Sequence, residues 1–289
     1  MPICVGRKHS IRWASYAMIS AIFIWLLSMN LENIGILTFL LYISIALAQG
    51  FHLFGRLTFP RWQYRVGSFL ALSGHGWLLY RYIEMPEGQN LYWLCMLSFT
   101  LWLMNIITLI ASFRAQVANL SSLTFPLSAI SLALVMHFAG SDIMDTKAHP
   151  GVLAHIFISM FAISLLLLAS LQAIFMGLQN HLLKHHKPSA ILHILPPLQA
   201  METLLFYIIW CGVLFFSGSL LSGFFYQGPL LTSHLLPKII LALCAWVLLV
   251  SLLLGRYRFG WRGPTAIRWT LSGTTFALLS YFGTKALLF

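Results

Sequence analysis

Long apolar stretches separated by short polar connections make up most of this chain. Nine of them follow one another, at residues 13–29, 35–54, 66–83, 91–113, 123–140, 151–178, 201–226, 238–254 and 269–288. Each is about 17 residues or longer, close to the ~20 residues that a helix needs to cross the ~30 Å hydrocarbon core of a bilayer. None alternates in ten-residue units as the strands of a membrane barrel do. The pattern therefore predicts an all-α, polytopic integral membrane bundle.

The stretch that begins at Pro150 is the longest. From Gly151 the sequence runs almost without a charge to Lys184. As one helix it would measure about 51 Å at ~1.5 Å per residue, so it should cross the membrane and project beyond it. Pro150 suits a helix start because it has no N–H to contribute. His155 falls in the first turns, at a depth where polar side chains are costly and tend to be functional.

The first stretch, residues 13–29, leaves two interpretations open. It is short and no small-residue cleavage site follows it cleanly, so it could be an uncleaved signal anchor. Alternatively, Met29 could be the true start of the protein. We therefore divide the chain into an N-terminal extension with a candidate signal-anchor span at residues 1–34 and a transmembrane domain of eight core helices at residues 35–289.

Composition and charge support the membrane class and predict an orientation. The chain is 60% hydrophobic and 8% charged, with a mean hydropathy of +0.86 and a formal net charge of +11. Thirteen of the 17 Lys and Arg residues lie on one side of the predicted membrane, and five of the six acids lie on the other. By the positive-inside rule the basic side is cytoplasmic, and the C-terminus is predicted to lie outside. Topology explains the basic excess, so nucleic-acid binding is not expected.

No enzyme motif emerges from the sequence. There is no phosphate-binding loop, nucleophile elbow or nicotinamide fingerprint, and we do not expect independent catalysis. Acids inside the apolar stretches are scarce, which argues against a proton-coupled pump. Glu202 is the exception, and its place at the start of the seventh stretch is typical of a helix N-terminus.

Histidine is the remaining candidate chemistry. His75 and His155 lie inside apolar stretches, whereas His137, His149 and His234 lie near the predicted outer ends of others. Neutral imidazole is a common axial ligand of haem iron. A helical bundle rich in Phe, Leu and Trp can provide the flat apolar slot that a haem requires.

Several short motifs then resemble a known family. They are His149-Pro150-Gly151 with His155, Pro196-Pro197-Leu198 with Met201-Glu202, Ser222-Gly223 with Tyr226, residues 238–246, Gly255-Arg256 with Gly260-Trp261-Arg262-Gly263, Arg268-Trp269-Thr270, and Tyr281-Phe282-Gly283. Together they resemble the cytochrome c assembly family, and most closely the small eight-span branch of its CcsA-like group, the YpjD-like or HemX-like proteins. The resemblance covers about residues 35–286.

This resemblance implies a haem-binding or haem-handling protein of the bacterial inner membrane that assists cytochrome c assembly beside other maturation membrane proteins. It implies that His155 takes the place of an outer-face histidine, a proposed axial ligand of haem iron. His75 matches a histidine in the second span of the branch. Some relatives carry a histidine immediately before the lysine that opens the eighth span, where this chain has Pro237. His234, three residues earlier, is the candidate substitute. We expect His155 to ligate iron from the outer side, with His75 or His234 opposite.

The sequence departs from the larger members of the family in one respect. Those proteins present haem on an outer tryptophan-rich loop that ends in aspartate. The ten tryptophans of this chain are scattered and form no such cluster. Presentation of haem to an apocytochrome is therefore not implied for this chain.

Two other classes of function remain open at this stage. A small-molecule transporter would gain support from inverted halves or from broken helices near the membrane midplane, and Gly74-His75-Gly76 and Ser217-Gly218-Ser219 are candidate breaks. A scaffold or regulatory subunit without a ligand would pack through the small residues of the stretch 217–223.

Overall fold

A computed structural model describes residues 30–53, 60–113, 120–138, 140–145, 150–184, 196–226 and 236–283. The predicted span at residues 13–29 lies outside the described residues, as do His149 and His234. The structural statements that follow concern the described ranges.

The described residues form eight helices, which confirms the predicted all-α bundle with its eight core helices. They are α1 (Leu31–Leu53), α2 (Arg61–Ile83), α3 (Trp93–Ala111), α4 (Ser121–Phe138), α5 (Pro150–Lys184), α6 (Leu198–Tyr226), α7 (Leu236–Phe259) and α8 (Pro264–Leu278), which continues as a π-helical turn (Leu279–Gly283). Six of them are long and apolar enough to cross a membrane. The other two are α2, which carries three arginines, and α8, which is 15 residues long.

Helix α5 is the centre of the second half of the bundle. It begins at Pro150 as predicted and runs for 35 residues, about 52 Å at ~1.5 Å per residue. It packs along α6 and also contacts α3 and α8. Its buried face carries Ala162, Ala169 and Ala173, each fully shielded from solvent. Side chains this small let neighbouring helices approach closely, which is the packing that membrane interiors favour.

The first four helices form a second packing group. Helix α1 contacts α2 and α4, and α3 joins this group to α5. Its core holds three aromatic rings, with the Tyr42 and Phe125 centroids 5.1 Å apart and those of Tyr64 and Phe125 6.4 Å apart. This group also contains His75, whereas His155 belongs to the group of α5–α8.

A small antiparallel sheet, absent from the sequence-based prediction, lies at the predicted outer end of the bundle. It comprises β1 (Glu84–Met85), β2 (Gly88–Asn90) and β3 (Ile143–Met144), paired in that order. The buried Asn90 amide donates to the backbone oxygens of Tyr82 and Gly140, at 3.4 and 3.0 Å. Its oxygen accepts from the backbone N–H groups of residues 92 and 142, at 3.1 and 2.9 Å. One side chain therefore joins the α2–α3 connection to the chain after α4.

An ion pair joins the helices at the opposite end. Glu202 was expected at a helix start, but α6 begins at Leu198 and Glu202 lies one turn further in. Its carboxylate is 2.6 Å from Arg256 Nη1 and 3.7 Å from Arg262 Nε. Arg256 also donates to the backbone oxygen of Trp261 at 3.3 Å. Glu202 thus ties α6 to α7 and to the turn that leads into α8.

The candidate helix breaks are not present. Gly74-His75-Gly76 lies inside the continuous helix α2, and Ser217-Gly218-Ser219 lies inside the continuous helix α6. In α2 the two glycines allow close packing instead. A Cβ atom at position 76 would lie 2.8 Å from the Trp102 ring, and one at position 74 would overlap Thr38. Neither candidate break therefore supports the transporter hypothesis.

The ion pair at Glu202 gives the first prediction. Replacing Glu202 with Gln removes the charge that neutralises Arg256, and both side chains are mostly shielded, with 13% and 27% of their surfaces exposed. We expect the free energy of unfolding to fall by about 1–3 kcal/mol, less than the full cost of breaking a deeply buried pair. Thermal unfolding in detergent measures this. The exposed Glu87 gives the control Glu87→Gln, and an equal loss in both variants would contradict the assignment.

Candidate functional site

A cavity of about 240 Å³ opens between the last four helices, at the end of the bundle that the charge pattern predicts to face outside. We call it the histidine cavity. Its walls are mostly apolar, and its lining residues are His155, Ser159 and Ile163 of α5, Phe216, Ser219, Leu220, Gly223 and Phe224 of α6, Lys238, Ile239, Ala242 and Leu243 of α7, and Ala277, Ser280 and Tyr281 of the last helix and its π turn.

Helical periodicity explains why these residues meet. His155, Ser159 and Ile163 are spaced by four residues, so they share one face of α5. The same spacing places Lys238 and Ala242 on one face of α7. Since α5 and α7 both begin at this end of the bundle, His155 and Lys238 lie near the mouth. Ile163 lies two turns deeper, about 12 Å further along α5 at ~1.5 Å per residue.

Hydrogen bonding determines which nitrogen of His155 carries the proton. Ser222 Oγ lies 3.0 Å from the backbone oxygen of Ser219, which can only accept, so the single hydroxyl proton is donated there. The 2.9 Å contact between Ser222 Oγ and His155 Nδ1 is then a hydrogen bond donated by Nδ1–H. A neutral imidazole has one N–H, so Nε2 keeps its lone pair. This tautomer is the one that a metal binds through Nε2.

Gly223 allows the His155 ring to lie against α6. A Cβ atom at position 223 would lie 3.0 Å from His155 Cε1, closer than ordinary van der Waals contact. A side chain there would require the imidazole to shift by a few tenths of an ångström. The Ser222-Gly223 pair therefore orients His155 in two ways: Ser222 accepts a hydrogen bond from the ring, and Gly223 has no side chain to displace it.

Two further polar groups line the mouth of the cavity. The π-helical turn at Leu279–Gly283 presents Tyr281, and the Nζ atom of Lys238 lies 5.3 Å from the centre of its ring. Such a position allows a cation–π attraction. Deeper in the cavity, Ser159 and Ser219 share a hydrogen bond of 2.6 Å between their hydroxyl oxygens. Short π-helical turns are rare and often occur at functional sites.

His75 lies in a different environment. It is fully buried among α1–α4 and does not line the histidine cavity. Its Nδ1 is 2.9 Å from Tyr42 Oη, and its Nε2 is 2.9 Å from Ser98 Oγ. The Ser98 hydroxyl lies 3.2 Å from that of Ser131, which itself donates to the backbone oxygen of Ser128. Because Ser131 donates to the backbone, it accepts from Ser98, and Ser98 in turn accepts from the Nε2–H group of His75. Nδ1 then accepts from the Tyr42 hydroxyl, so both ring nitrogens are engaged.

The remaining candidate histidines are separated from this cavity or undescribed. His137 is exposed on α4, where its ring nitrogen is 3.1 Å from the backbone oxygen of Ala133. His149 and His234 lie outside the described residues. Of the three candidate ligands, the structure therefore places His155 at the histidine cavity and His75 elsewhere.

Three residues of this site, Ser222, Lys238 and Tyr281, have no role predicted from the sequence, although all three belong to the motifs that carry the family resemblance. A sequence signal existed for the face of α5, because Ser159 follows His155 by one turn. No signal could connect these residues to α6, α7 and the π turn, since that contact depends on the order of the helices in the bundle.

The fold and the site define a class: a helical membrane protein whose last four helices enclose a histidine-bearing apolar cavity. The comparisons identify the family. The sequence model of the family described as "Cytochrome C assembly protein" matches residues 66–289. The chain belongs to this family, and this membership supports a role in cytochrome c assembly.

Named relatives agree with this assignment. The chain is 31% identical over 223 residues to "Inner membrane protein YpjD" of Escherichia coli strain K12, which covers 76% of this chain and 84% of the relative. The corresponding proteins of Escherichia coli O6:H1 and O157:H7 match to the same extent. No solved structure matches. Together with the apolar helices, the name of these relatives supports a multi-pass protein of the inner membrane.

The two hydrogen-bond chains predict opposite tautomers for the two buried histidines. We expect His155 to carry its proton on Nδ1 and His75 to carry it on Nε2. Nitrogen NMR of protein labelled at histidine distinguishes these forms, and the variants His155→Ala and His75→Ala assign the resonances.

Removing the acceptor of Nδ1–H provides the matched test. Ser222→Ala should shift the His155 signals toward a mixture of tautomers and leave His75 unchanged. Ser73→Ala, which removes an exposed hydroxyl bonded to the oxygen of Phe69, should change neither histidine. The assignment is wrong if both histidines carry the proton on the same nitrogen in the unmodified protein.

Proposed function

We propose that this protein binds haem in the histidine cavity, with the Nε2 atom of His155 as an axial ligand of the iron, and that it handles haem as cargo during cytochrome c assembly. The observation that carries the proposal is the 2.9 Å contact between His155 Nδ1 and Ser222 Oγ beside the cavity. The bond from Nδ1–H to Ser222 leaves the lone pair on Nε2, and the ring borders an apolar cavity. A hydrogen-bond acceptor that holds the other ring N–H orients a metal-binding imidazole and increases its basicity.

The donor set favours a haem iron over a free metal ion. Among the described residues no group of three or more His, Cys, Asp or Glu side chains could hold an ion. A haem already supplies four nitrogens to its iron and needs one or two axial ligands from the protein. A single histidine beside apolar walls is therefore a sufficient contribution.

The size of the cavity supports a role in transfer. Its volume of about 240 Å³ is below the ~300–1,000 Å³ of pockets that enclose most of a small ligand. It would receive part of a macrocycle and leave the remainder accessible at the end of the bundle. This arrangement suits a cargo that other cytochrome c maturation membrane proteins deliver or receive. It also requires no tryptophan-rich loop.

The opposite axial ligand is proposed on chain proximity. His234 belongs to the connection between α6 and α7, four residues before Lys238 at the cavity mouth. His75 would have to release Tyr42 or Ser98 before it could bind iron. We therefore favour His234 as the second ligand, with the C-terminus and the cavity on the outer face of the membrane.

Absorption spectroscopy of detergent-purified protein tests the proposal. The protein loaded with haem should show a Soret band and, after reduction, split visible bands. His155→Ala should weaken haem binding by more than about 100-fold, because it removes the ligand itself rather than a supporting group.

Two other histidines supply the controls. His137→Ala changes an exposed imidazole and should bind haem as the unmodified protein does, and His75→Ala should retain most of the binding. Protein that folds yet takes up no added haem would contradict the proposal, and so would equal binding by His155→Ala. Either result would favour the scaffold or transporter hypothesis.

A further inference from the structure

We propose that the connection between α7 and α8 binds the headgroup of an anionic phospholipid through Arg258 and Arg268. We call residues 255–269, which include the end of α7 and the start of α8, the arginine hairpin. It lies at the end of the bundle opposite the mouth of the histidine cavity and lines no part of that cavity. The proposal therefore does not depend on haem binding.

Uncompensated positive charge is the first argument. The arginine hairpin contains four arginines, and two of them, Arg256 and Arg262, share the carboxylate of Glu202 at 2.6 and 3.7 Å. The other two, Arg258 and Arg268, are exposed, and neither makes an ion pair or hydrogen bond within the part of the chain that the structure describes. The partner that complements such a surface is an anion.

The shape of the arginine hairpin brings the two free arginines to the same end of the bundle. Gly260 and Gly263 have φ angles of +65° and +52°, a conformation that glycine adopts without strain and that turns the chain back on itself. Beyond the turn, the rings of Trp261 and Trp269 lie 5.0 Å apart. Arg268, which precedes Trp269, is thus returned to the level at which α7 ends.

Exposed aromatic rings indicate that this level is the membrane surface. Tyr257 and Phe259 are 85% and 77% exposed. Large aromatic side chains at the ends of membrane-spanning helices are typical of the headgroup region, where the ring contacts apolar chains and water is close by. Phosphate groups of lipids occupy the same region. The two free arginines are therefore at the depth of those phosphates.

An exposed apolar stripe on α7 favours a phospholipid over a soluble anion. Ile240, Val247 and Leu254 are each more than half exposed, and their spacing of seven residues places them on one face of the helix. Arg258 follows Leu254 by one turn on that face. In a bilayer the stripe contacts acyl chains. A lipid lying along it would present its headgroup to Arg258, which a soluble phosphate could not reproduce.

The chemistry of arginine selects the kind of headgroup. A guanidinium presents its N–H donors in a planar fork that matches two phosphate oxygens, and it stays charged at every physiological pH. A zwitterionic headgroup carries the same phosphate beside a cationic group that two arginines would repel. We therefore expect selectivity for a headgroup with net negative charge.

Native mass spectrometry of detergent-purified protein tests the proposal. Phosphatidylglycerol and phosphatidylcholine with identical acyl chains are titrated separately, and the fraction of protein that carries one lipid gives an apparent dissociation constant for each. The ratio of the two constants measures selectivity for the headgroup, because contacts to the acyl chains are the same for both lipids.

We expect the unmodified protein to prefer phosphatidylglycerol by about 25-fold, from two cations at about fivefold each. The double variant Arg258→Gln/Arg268→Gln should lose most of this preference. Arg258→Lys/Arg268→Lys keeps both charges and should retain most of it. Arg61→Gln/Arg81→Gln removes two exposed arginines of α2, changes the net charge equally and should leave the ratio unchanged.

Three results would overturn the proposal. The first is an unchanged ratio in the Arg258→Gln/Arg268→Gln variant. The second is an equal loss in the α2 control, which would show a diffuse effect of charge instead of a site. The third is displacement of phosphatidylglycerol by inorganic phosphate at equal concentration, which would identify the ligand as a free anion rather than a lipid.

Discussion

The absence of water from the membrane interior is the constraint on which this structure depends. A polar group buried among apolar helices must find its partner within the protein. The short hydroxyl side chains meet this demand locally, as when Thr100, Thr108 and Ser164 donate to the backbone oxygen four residues earlier. A histidine cannot satisfy both ring nitrogens in this way, because its one donor and one acceptor lie on opposite sides of the ring. Each buried histidine therefore requires a neighbouring helix to carry a hydroxyl at the correct height.

That requirement separates the two buried histidines into different roles. His75 lies between hydroxyl groups of α1 and α3, and both of its nitrogens are engaged. The result is a closed polar cluster that holds four helices together. His155 contacts Ser222 through Nδ1 and also borders the histidine cavity. In our proposal the protein provides the partner of Nδ1, and a ligand in the cavity provides the partner of Nε2. The distinction comes from what the second nitrogen faces, since both residues are buried and both occur in apolar helices.

The helices themselves could be predicted because their signals are local. The sequence alone shows apolar runs of sufficient length, a proline at the start of one of them (Pro150) and clusters of arginine between runs. None of these signals depends on how the helices pack. The role of Glu202 was not readable, since its partner Arg256 lies 54 positions away and the contact depends on how α6 and α7 pack. Lys238 and Ser222 were missed for the same reason. The small sheet was missed because its strands are two or three residues long, too short to show a period.

The π turn at the end of α8 has a consequence for how such a protein tolerates change. A π turn holds one more residue than an α-helical turn, so it arises when a single residue is inserted into a helix and the helix continues. One residue more or less in such a turn changes the direction of the side chains within it by about 100°, since each α-helical residue turns by that angle. Losing one residue between Leu279 and Gly283 would keep the helix yet turn the Tyr281 ring away from Lys238. A change of one residue in the length of this turn would therefore alter the mouth of the cavity while leaving the helix intact.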